Sequence, residues 1–330
     1  MQHVRFGRTG LKVSRLCLGT MTFGLQCDEE SSRSIMDRAF EAGIDFFDTA
    51  DVYPLGGGVE LAGRTEEIIG RWLQGRRHSL VIATKAAGRV GSRAWDEGNS
   101  RKHLLDAIDA SLKRLGTDYV DLYQLHFDDA NTPLDESLEA LDAIVRSGRA
   151  RYVGVSNFVA WRLARMLGRA DLLRLARPVS VQPRYSLLFR QFERDLFPLA
   201  QEEGLAVIPY NPLAGGMLTG KYQVGMQPQE GTRFTLGKAA HTYQDRYWHE
   251  RELALSASFA DLVREHGAVP AQAAIAWVLA NPAVTSVIIG ASKAAQLADS
   301  VAAVDLALAP DLASRLGEMT REFRYGDAVR

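Results

Sequence analysis

Residues 43–53 read Gly-Ile-Asp-Phe-Phe-Asp-Thr-Ala-Asp-Val-Tyr. A helix-stopping glycine leads into a short apolar run, and the run ends in polar residues. That order marks a buried strand entered from a helix and left by a polar loop. The helix before it, Ser31–Ala42, has apolar residues at i, i+3, i+4 spacing, and Gly43 suits a left-handed C-cap.

The same unit recurs outward in both directions. Strand candidates are Leu16–Gly19, Ile44–Asp48, Val81–Lys85, Tyr119–Leu125, Tyr152–Ser156, Val179–Gln182, Ala206–Tyr210 and Val284–Ile289. Helical spacing also marks Arg101–Leu115, Leu134–Ser147 and Trp161–Leu167; Gly116 and Gly148 follow two of these, and Pro133 and Pro270 stand where helices begin. Strand–helix alternation implies parallel pairing with right-handed crossovers, an α/β fold, and eight units favour a closed (β/α)8 TIM barrel over an open sheet. Length alone (330 residues) suggests two domains, but no linker interrupts the pattern. The expectation is one barrel domain over 1–330, with a hairpin in 1–14 plugging the barrel bottom, the barrel over about 15–305 and a tail at 306–330. Gln223 to about Trp248 reads as the longest irregular segment, a length usually functional or disordered.

Lys+Arg number 39 and Asp+Glu 40, for a net charge of −1, which argues against a nucleic-acid surface; 46% apolar residues argue against disorder. The two cysteines, Cys17 in an apolar run and Cys27 in a polar loop, make no disulfide framework or metal motif, and read as one buried and one surface thiol. The N-terminus lacks a signal-peptide core, and the most apolar stretch, Ala271–Ala291, is interrupted by Asn281-Pro282 and Thr285-Ser286. It reads as helix, turn and strand, so no membrane span and a reducing cytoplasm are expected.

A barrel of this kind carries its site where the strands end. There stand Asp48 with Tyr53 in the loop after it, Lys85, and His126. Singly, the Asp reads as a helix cap, the Lys as an exposed charge and the His as a structural residue. Together, on three successive strand ends, they converge on one mouth and point to catalysis.

With these residues in place, the chain resembles the aldo-keto reductase family. The matching pieces are Gly7–Ser14, Gly19-Thr20-Met21, 43–53, Thr84-Lys85, 121–126, Gly154–Phe158, Tyr210-Asn211-Pro212-Leu213-Ala214-Gly215-Gly216, Leu218–Tyr222 and Ile288–Ser292, in family order from near residue 5 to about 305. The resemblance implies a tetrad of Asp48, Tyr53, Lys85 and His126. Reduction of a carbonyl by hydride leaves an alkoxide that needs a proton and a polar cradle. Tyr53 is then the acid, Lys85 favours its phenolate, Asp48 holds Lys85, and His126 orients the substrate oxygen.

The resemblance likewise implies NADPH, with NADH left open. Ser156, Asn157 and Gln182 would hold the nicotinamide carboxamide, and Tyr210 would stack on the ring, where otherwise it reads as a core aromatic. Leu213 to Gly216 with Lys221 suit the pyrophosphate. Ser292, Gln296, Asp299 and Ser300 match adenosine-side positions beyond Gly290. Many members carry Arg or Lys at the Ser292 position and Asn at the Ser300 position; here Lys293 and Arg233 are the cations for a 2′-phosphate. The implied partner is a small carbonyl substrate, with homo-oligomerisation open. No metal is expected.

Rival chemistries lack their motifs. Gly56–Gly63 departs from the dinucleotide Gly-x-Gly-x-x-Gly, and no tyrosine begins Tyr-x-x-x-Lys. Two alternatives share the fold: a cofactor-binding regulatory subunit or redox sensor like the potassium-channel β-subunits, and a sugar or alcohol dehydrogenase running the reaction in reverse. Phe23, Trp95, Phe234, Tyr243, Tyr247 and Trp248 either line a substrate pocket or pack loops onto the barrel.

Overall fold

A computed structural model describes residues 1–326. β1 (His3–Arg5) and β2 (Lys12–Ser14) pair antiparallel, with Val4 opposite Val13, as the expected hairpin. Eight parallel strands follow: β3 (Leu16–Gly19), β4 (Phe46–Asp48), β5 (Val81–Ala86), β6 (Val120–Leu125), β7 (Ala150–Ser156), β8 (Ser180–Gln182), β9 (Ala206–Val207) and β10 (Val287–Ile289), in the order β10-β3-β4-β5-β6-β7-β8-β9. Parallel bridges Val207–Val284 and Tyr210–Ile288 join the two ends, and the Ile288 N–H donates to the Pro209 carbonyl at 2.9 Å. The sheet is therefore a closed (β/α)8 barrel.

Around it lie α1 (Glu29–Glu41), α2 (Arg64–Leu73), α3 (Arg101–Leu115), α4 (Leu134–Arg146), α5 (Ala160–Leu173), α6 (Leu196–Glu203), α7 (Ala240–Tyr247), α8 (Glu250–Glu265), α9 (Pro270–Leu279), α10 (Leu297–Ala302) and α11 (Pro310–Met319). Local chemistry sets their ends. Asp28 accepts from the Ser31 N–H and Ser100 from the His103 N–H, capping α1 and α3. Past the C-termini of α1, α3 and α4, Gly43, Gly116 and Gly148 take φ of 81°, 62° and 79°, a region costly to any residue with a Cβ. α1 buries Ser32, Ile35, Met36 and Ala39, one stripe of a 3.6-residue period.

Strand alternation decides what faces inward. Phe46, Ala83 and Leu122 form the barrel interior with Val13, Cys17, Ala206 and Ile288, while Phe47 faces outward and stacks on Trp72 of α2 at 5.4 Å. Phe6 from the hairpin meets Phe46 edge-on at 5.8 Å, so the hairpin does plug the bottom. With a period of two, Asp48, Lys85 and Gln124 lie two residues beyond Phe46, Ala83 and Leu122, and all three project into the barrel at its opposite end.

Several expectations need correction. The segment Gln223–Trp248 is not irregular throughout: it holds 3-10 turns at Arg233–Thr235 and Gly237–Ala239, then α7. Its helix is hard to see because aromatics cover only one side of an otherwise polar eight-residue stretch. The continuous strand β9 stops at Val207, and pairing resumes at Tyr210, which bridges Arg184 and Ile288; Pro209 between them has no N–H to donate. Beyond β10 the chain makes a 3-10 turn, Ala294–Gln296, before the short α10. Cys27 is buried, not on the surface: the Gly24 N–H donates to the Cys27 carbonyl at 2.7 Å, folding the loop so that the thiol meets the Ser292 carbonyl. Within the tail, Leu312, Leu316 and Phe323 pack into a core shared with α8 and α9. Among the described residues no helix is long and apolar enough to cross a membrane.

A buried ionic tie joins α2, α3 and β5. Glu66, fully buried, accepts from the Thr84 hydroxyl at 2.5 Å and from Arg114 Nε at 2.7 Å. Removing the cation strands a carboxylate in the core, so Arg114→Met is expected to cost about 3 kcal/mol. Urea-denaturation midpoints check this, and an unchanged midpoint would contradict it.

Candidate active site

At the C-terminal end of the barrel the inward residues meet around one carboxylate. Lys85 Nζ donates to Asp48 Oδ1 and, at 2.7 Å, to the Thr49 carbonyl. Asp48 Oδ2 accepts from Gln182 Nε2 at 2.8 Å and from Gln124 Nε2 at 3.1 Å. Lys85 is fully buried and Asp48 nearly so. A buried charge pair persists only when its remaining lone pairs and protons are satisfied, which the two amides and the carbonyl accomplish. Gln124 escaped the sequence reading, although alternation from Leu122 places it beside Lys85.

Tyr53 reaches this cluster from the loop after β4. Lys85 Nζ lies over the Tyr53 ring, 5.2 Å from its centroid. His126 meets the same ring edge-on at 5.7 Å. The Tyr53 hydroxyl makes no hydrogen bond to any described residue. Burial and then the negative Asp48 push the phenol well above its usual pKa of ~10, with Arg233 opposing. The Lys85 charge is paired with Asp48, so burial and the Asp48 charge dominate the Tyr53 phenol. Burial and the Lys85 charge bring His126 down to about 3, so its imidazole is neutral at all ordinary pH. The arrangement presents a protonated phenol, a neutral imidazole and a fixed ammonium to one space.

Next to it, at the end of β7, Asn157 takes a left-handed φ of 56°, and its amide nitrogen donates to the His126 carbonyl at 2.9 Å and to Ser156 Oγ at 3.0 Å. The Tyr210 hydroxyl donates to Asn157 Oδ1 at 2.8 Å. Ser156, Asn157 and Tyr210 thus stand together, while the Gln182 amide nitrogen is turned to Asp48. On β3, a Cβ on Gly19 would come within 2.6 Å of Ile288 Cγ2, so this position holds the backbone open; Thr20 Oγ1 donates to the Asp48 carbonyl at 2.9 Å. Met21 sits in the following loop, its sulfur 4.0 Å from the Tyr243 hydroxyl.

The turn after Tyr210 is built for close backbone approach. Asn211 Oδ1 accepts from the Gly215 N–H at 2.8 Å across Pro212 and Leu213, and Gly215 and Gly216 both take positive φ. Lys221 Nζ would lie 3.8 Å from a Cβ on Gly216. Across the mouth, Arg233 Nη2 would lie 3.3 Å from a Cβ on Gly290, and its Nη1 is buried without a hydrogen-bond partner. An unpartnered guanidinium nitrogen beside the exposed Gly290 and an ammonium beside the half-buried Gly216 fit a polyphosphate anion. Gln296 Oε1 accepts from the Ser292 N–H at 2.8 Å and the Lys293 N–H at 3.3 Å, so a side chain occupies the amides expected to face an anion. Lys293 is exposed, Ser300 is buried, and Asp299 accepts from Gln272 Nε2 at 2.9 Å.

Of the loop aromatics, Phe23, Phe234, Tyr243 and Tyr247 are buried, and Trp248 packs on Phe234 at 4.6 Å. They fasten the loops to the barrel. Trp95 alone of the six stays open to solvent.

Residues 15–320 match the Aldo/keto reductase family model. The chain is 41% identical to "Uncharacterized oxidoreductase YrpG" of Bacillus subtilis over 97% of its own length and 96% of that protein. It is 38% identical to the "Probable voltage-gated potassium channel subunit beta" of Arabidopsis thaliana, covering 93% and 92% of the two chains. To the "L-glyceraldehyde 3-phosphate reductase" of Escherichia coli the identity is 37%, over 92% and 88%.

The depressed His126 has a consequence for stability. In the unfolded chain an imidazole takes up its proton near ~6.5, in the folded chain only near about 3. The unfolded state therefore binds more protons between these values, and folding stability falls as pH drops from 6.5 toward 3. His126→Gln is expected to flatten that slope, raising the urea midpoint relative to the parent at pH 4 more than at pH 7.5. Parallel pH profiles would contradict a neutral, buried His126.

Proposed function

The chain belongs to the aldo/keto reductase family and is an oxidoreductase, and from that premise we propose that it reduces an aldehyde or ketone with NADPH, the proton coming from Tyr53. The observation that carries this reading is the convergence of Tyr53, His126 and the Asp48–Lys85 pair on one space. NADPH, when bound, supplies the hydride. Leu213 to Gly216, Lys221 and Arg233 would hold its phosphates, and Ser156, Asn157 and Tyr210 its nicotinamide end.

The chain's own residues then manage charge. As the substrate oxygen gains electron density, the neutral His126 offers it a ring N–H and Tyr53 gives up its phenolic proton. Burial keeps that phenol protonated at neutral pH, and the Lys85 ammonium against the ring face compensates the phenolate left behind. Asp48, Gln124 and Gln182 keep Lys85 from moving with it. Alcohol oxidation runs through the same residues in reverse. Both cysteines are buried and unbridged, in keeping with a reducing cytoplasm.

The likeness to a potassium-channel β-subunit supports a second reading, in which cofactor binding reports to a partner protein. Both readings use the same cleft, and turnover separates them. Tyr53→Phe is expected to lower carbonyl reduction by at least about 100-fold while the NADPH Kd, from fluorescence, changes by less than about threefold. Retained turnover refutes the acid role. Tight NADPH binding by the parent with no reduction across a panel of aldehydes would favour the regulatory reading. Lys293→Ala is expected to weaken NADPH more than NADH in the same titration; equal losses would move the 2′-phosphate contact to Arg233.

A further inference from the structure

α7 closes over the mouth of the barrel by one face. Tyr243, Arg246 and Tyr247 stand at i, i+3 and i+4, hence side by side on that face. Two anchors fix it. The Tyr247 hydroxyl accepts from Asn211 Nδ2 at 2.9 Å, and the Tyr243 ring covers Gly215, where a Cβ would come within 2.8 Å of it. With both rings buried, the same face brings Arg246 beside Tyr210, whose phenol burial pushes up and the Arg246 charge draws back down. From there the contacts run through Asn157 to the His126 carbonyl.

The Arg246 guanidinium is half-buried and has no carboxylate partner among the described residues. In the catalytic space, Asp48 is committed to Lys85 and two amides. Lys221 and Arg233 stand by the glycines of the phosphate side, at Gly216 and Gly290, whereas Arg246 stands at Tyr210, beside the reacting groups. A partly desolvated guanidinium without a counterion is a fork awaiting an oxyanion, which it binds through paired charge-assisted hydrogen bonds.

We propose that Arg246 is the specificity-determining residue of the site, selecting carbonyl substrates that carry a carboxylate or phosphate within one side chain's reach of the carbonyl. The inference rests on the reductase reading and adds to it the charge class of the substrate. Cofactor phosphates are left to Lys221, Arg233 and Lys293.

Three para-substituted benzaldehydes test it: 4-carboxybenzaldehyde, 4-formylphenyl phosphate and the neutral methyl 4-formylbenzoate. The parent is expected to favour one or both anions over the ester by at least about tenfold in kcat/KM, mainly through KM, and the better anion identifies the natural group. Arg246→Gln should collapse that ratio to within about threefold, with Arg246→Lys between, since an ammonium keeps the charge but not the fork. An equal ratio in parent and Arg246→Gln overturns the proposal, as does a loss that appears in the NADPH Kd instead. Calorimetric binding of 4-(hydroxymethyl)benzoate to the NADPH-loaded protein gives an answer independent of turnover. If no aldehyde is reduced but this binding still depends on Arg246, the reductase reading fails and the anion site stands. Binding unaffected by Arg246→Gln sinks the site whatever the turnover.

Discussion

Everything at the mouth of this barrel is arranged around one buried carboxylate. Asp48 ends β4, and its two oxygens draw in Lys85 from β5, Gln124 from β6 and Gln182 from β8. Four strand ends are thereby tied at a single point in a region where water cannot supply substitutes. The strand period makes this possible, since the same alternation that packs Phe46, Ala83 and Leu122 inside the barrel turns the polar residues two positions on into the same space. The constraint also sets the electrostatics. The Asp48 charge helps hold the Tyr53 phenol in its protonated form, and the Lys85 charge helps hold His126 neutral.

A second acid nearby shows how closely that charge balance is kept. Asp51 is buried with neither oxygen hydrogen-bonded, and burial followed by the proximity of Glu66 pushes its carboxyl well up. The same burial that raises the Asp51 carboxyl disfavours a second negative charge beside the Asp48–Lys85 pair. Glu66 itself is matched by Arg114. The site thus joins a charged but fully partnered centre to a polar wall that carries Tyr53 and His126.

The barrel was legible because its strands are buried on both faces and read as short apolar runs, and because glycines at 43, 116 and 148 punctuate the helices. The convergence of Asp48, Lys85 and His126 was legible for the same reason, since each stands at or just past a strand end, with Tyr53 in the loop that follows the first of them. What escaped depends on contacts between distant segments. Gln124 looks like any polar residue in a strand until the Asp48 oxygen it faces is known. Arg246 lies in a stretch with no helical stripe of ordinary length, and its place follows from Tyr243 and Tyr247 docking on Gly215 and Asn211. Cys27 reads as exposed because its neighbours are polar, yet a local fold-back buries it. The pairing of the Gln182 nitrogen with Asp48 is likewise a tertiary fact.

Carbonyl reduction with the proton drawn from a buried phenol is the claim on which the rest stands, and transfer of the hydride tests it most directly. The measurement is the mass of the alcohol formed when the protein is mixed with an aldehyde and NADPH deuterated at the transferable position of the nicotinamide ring. The expected product carries one deuterium on its carbinol carbon, formed at a rate that depends on Tyr53. An alcohol without that label, or no alcohol at all from protein shown to bind the cofactor, would contradict it.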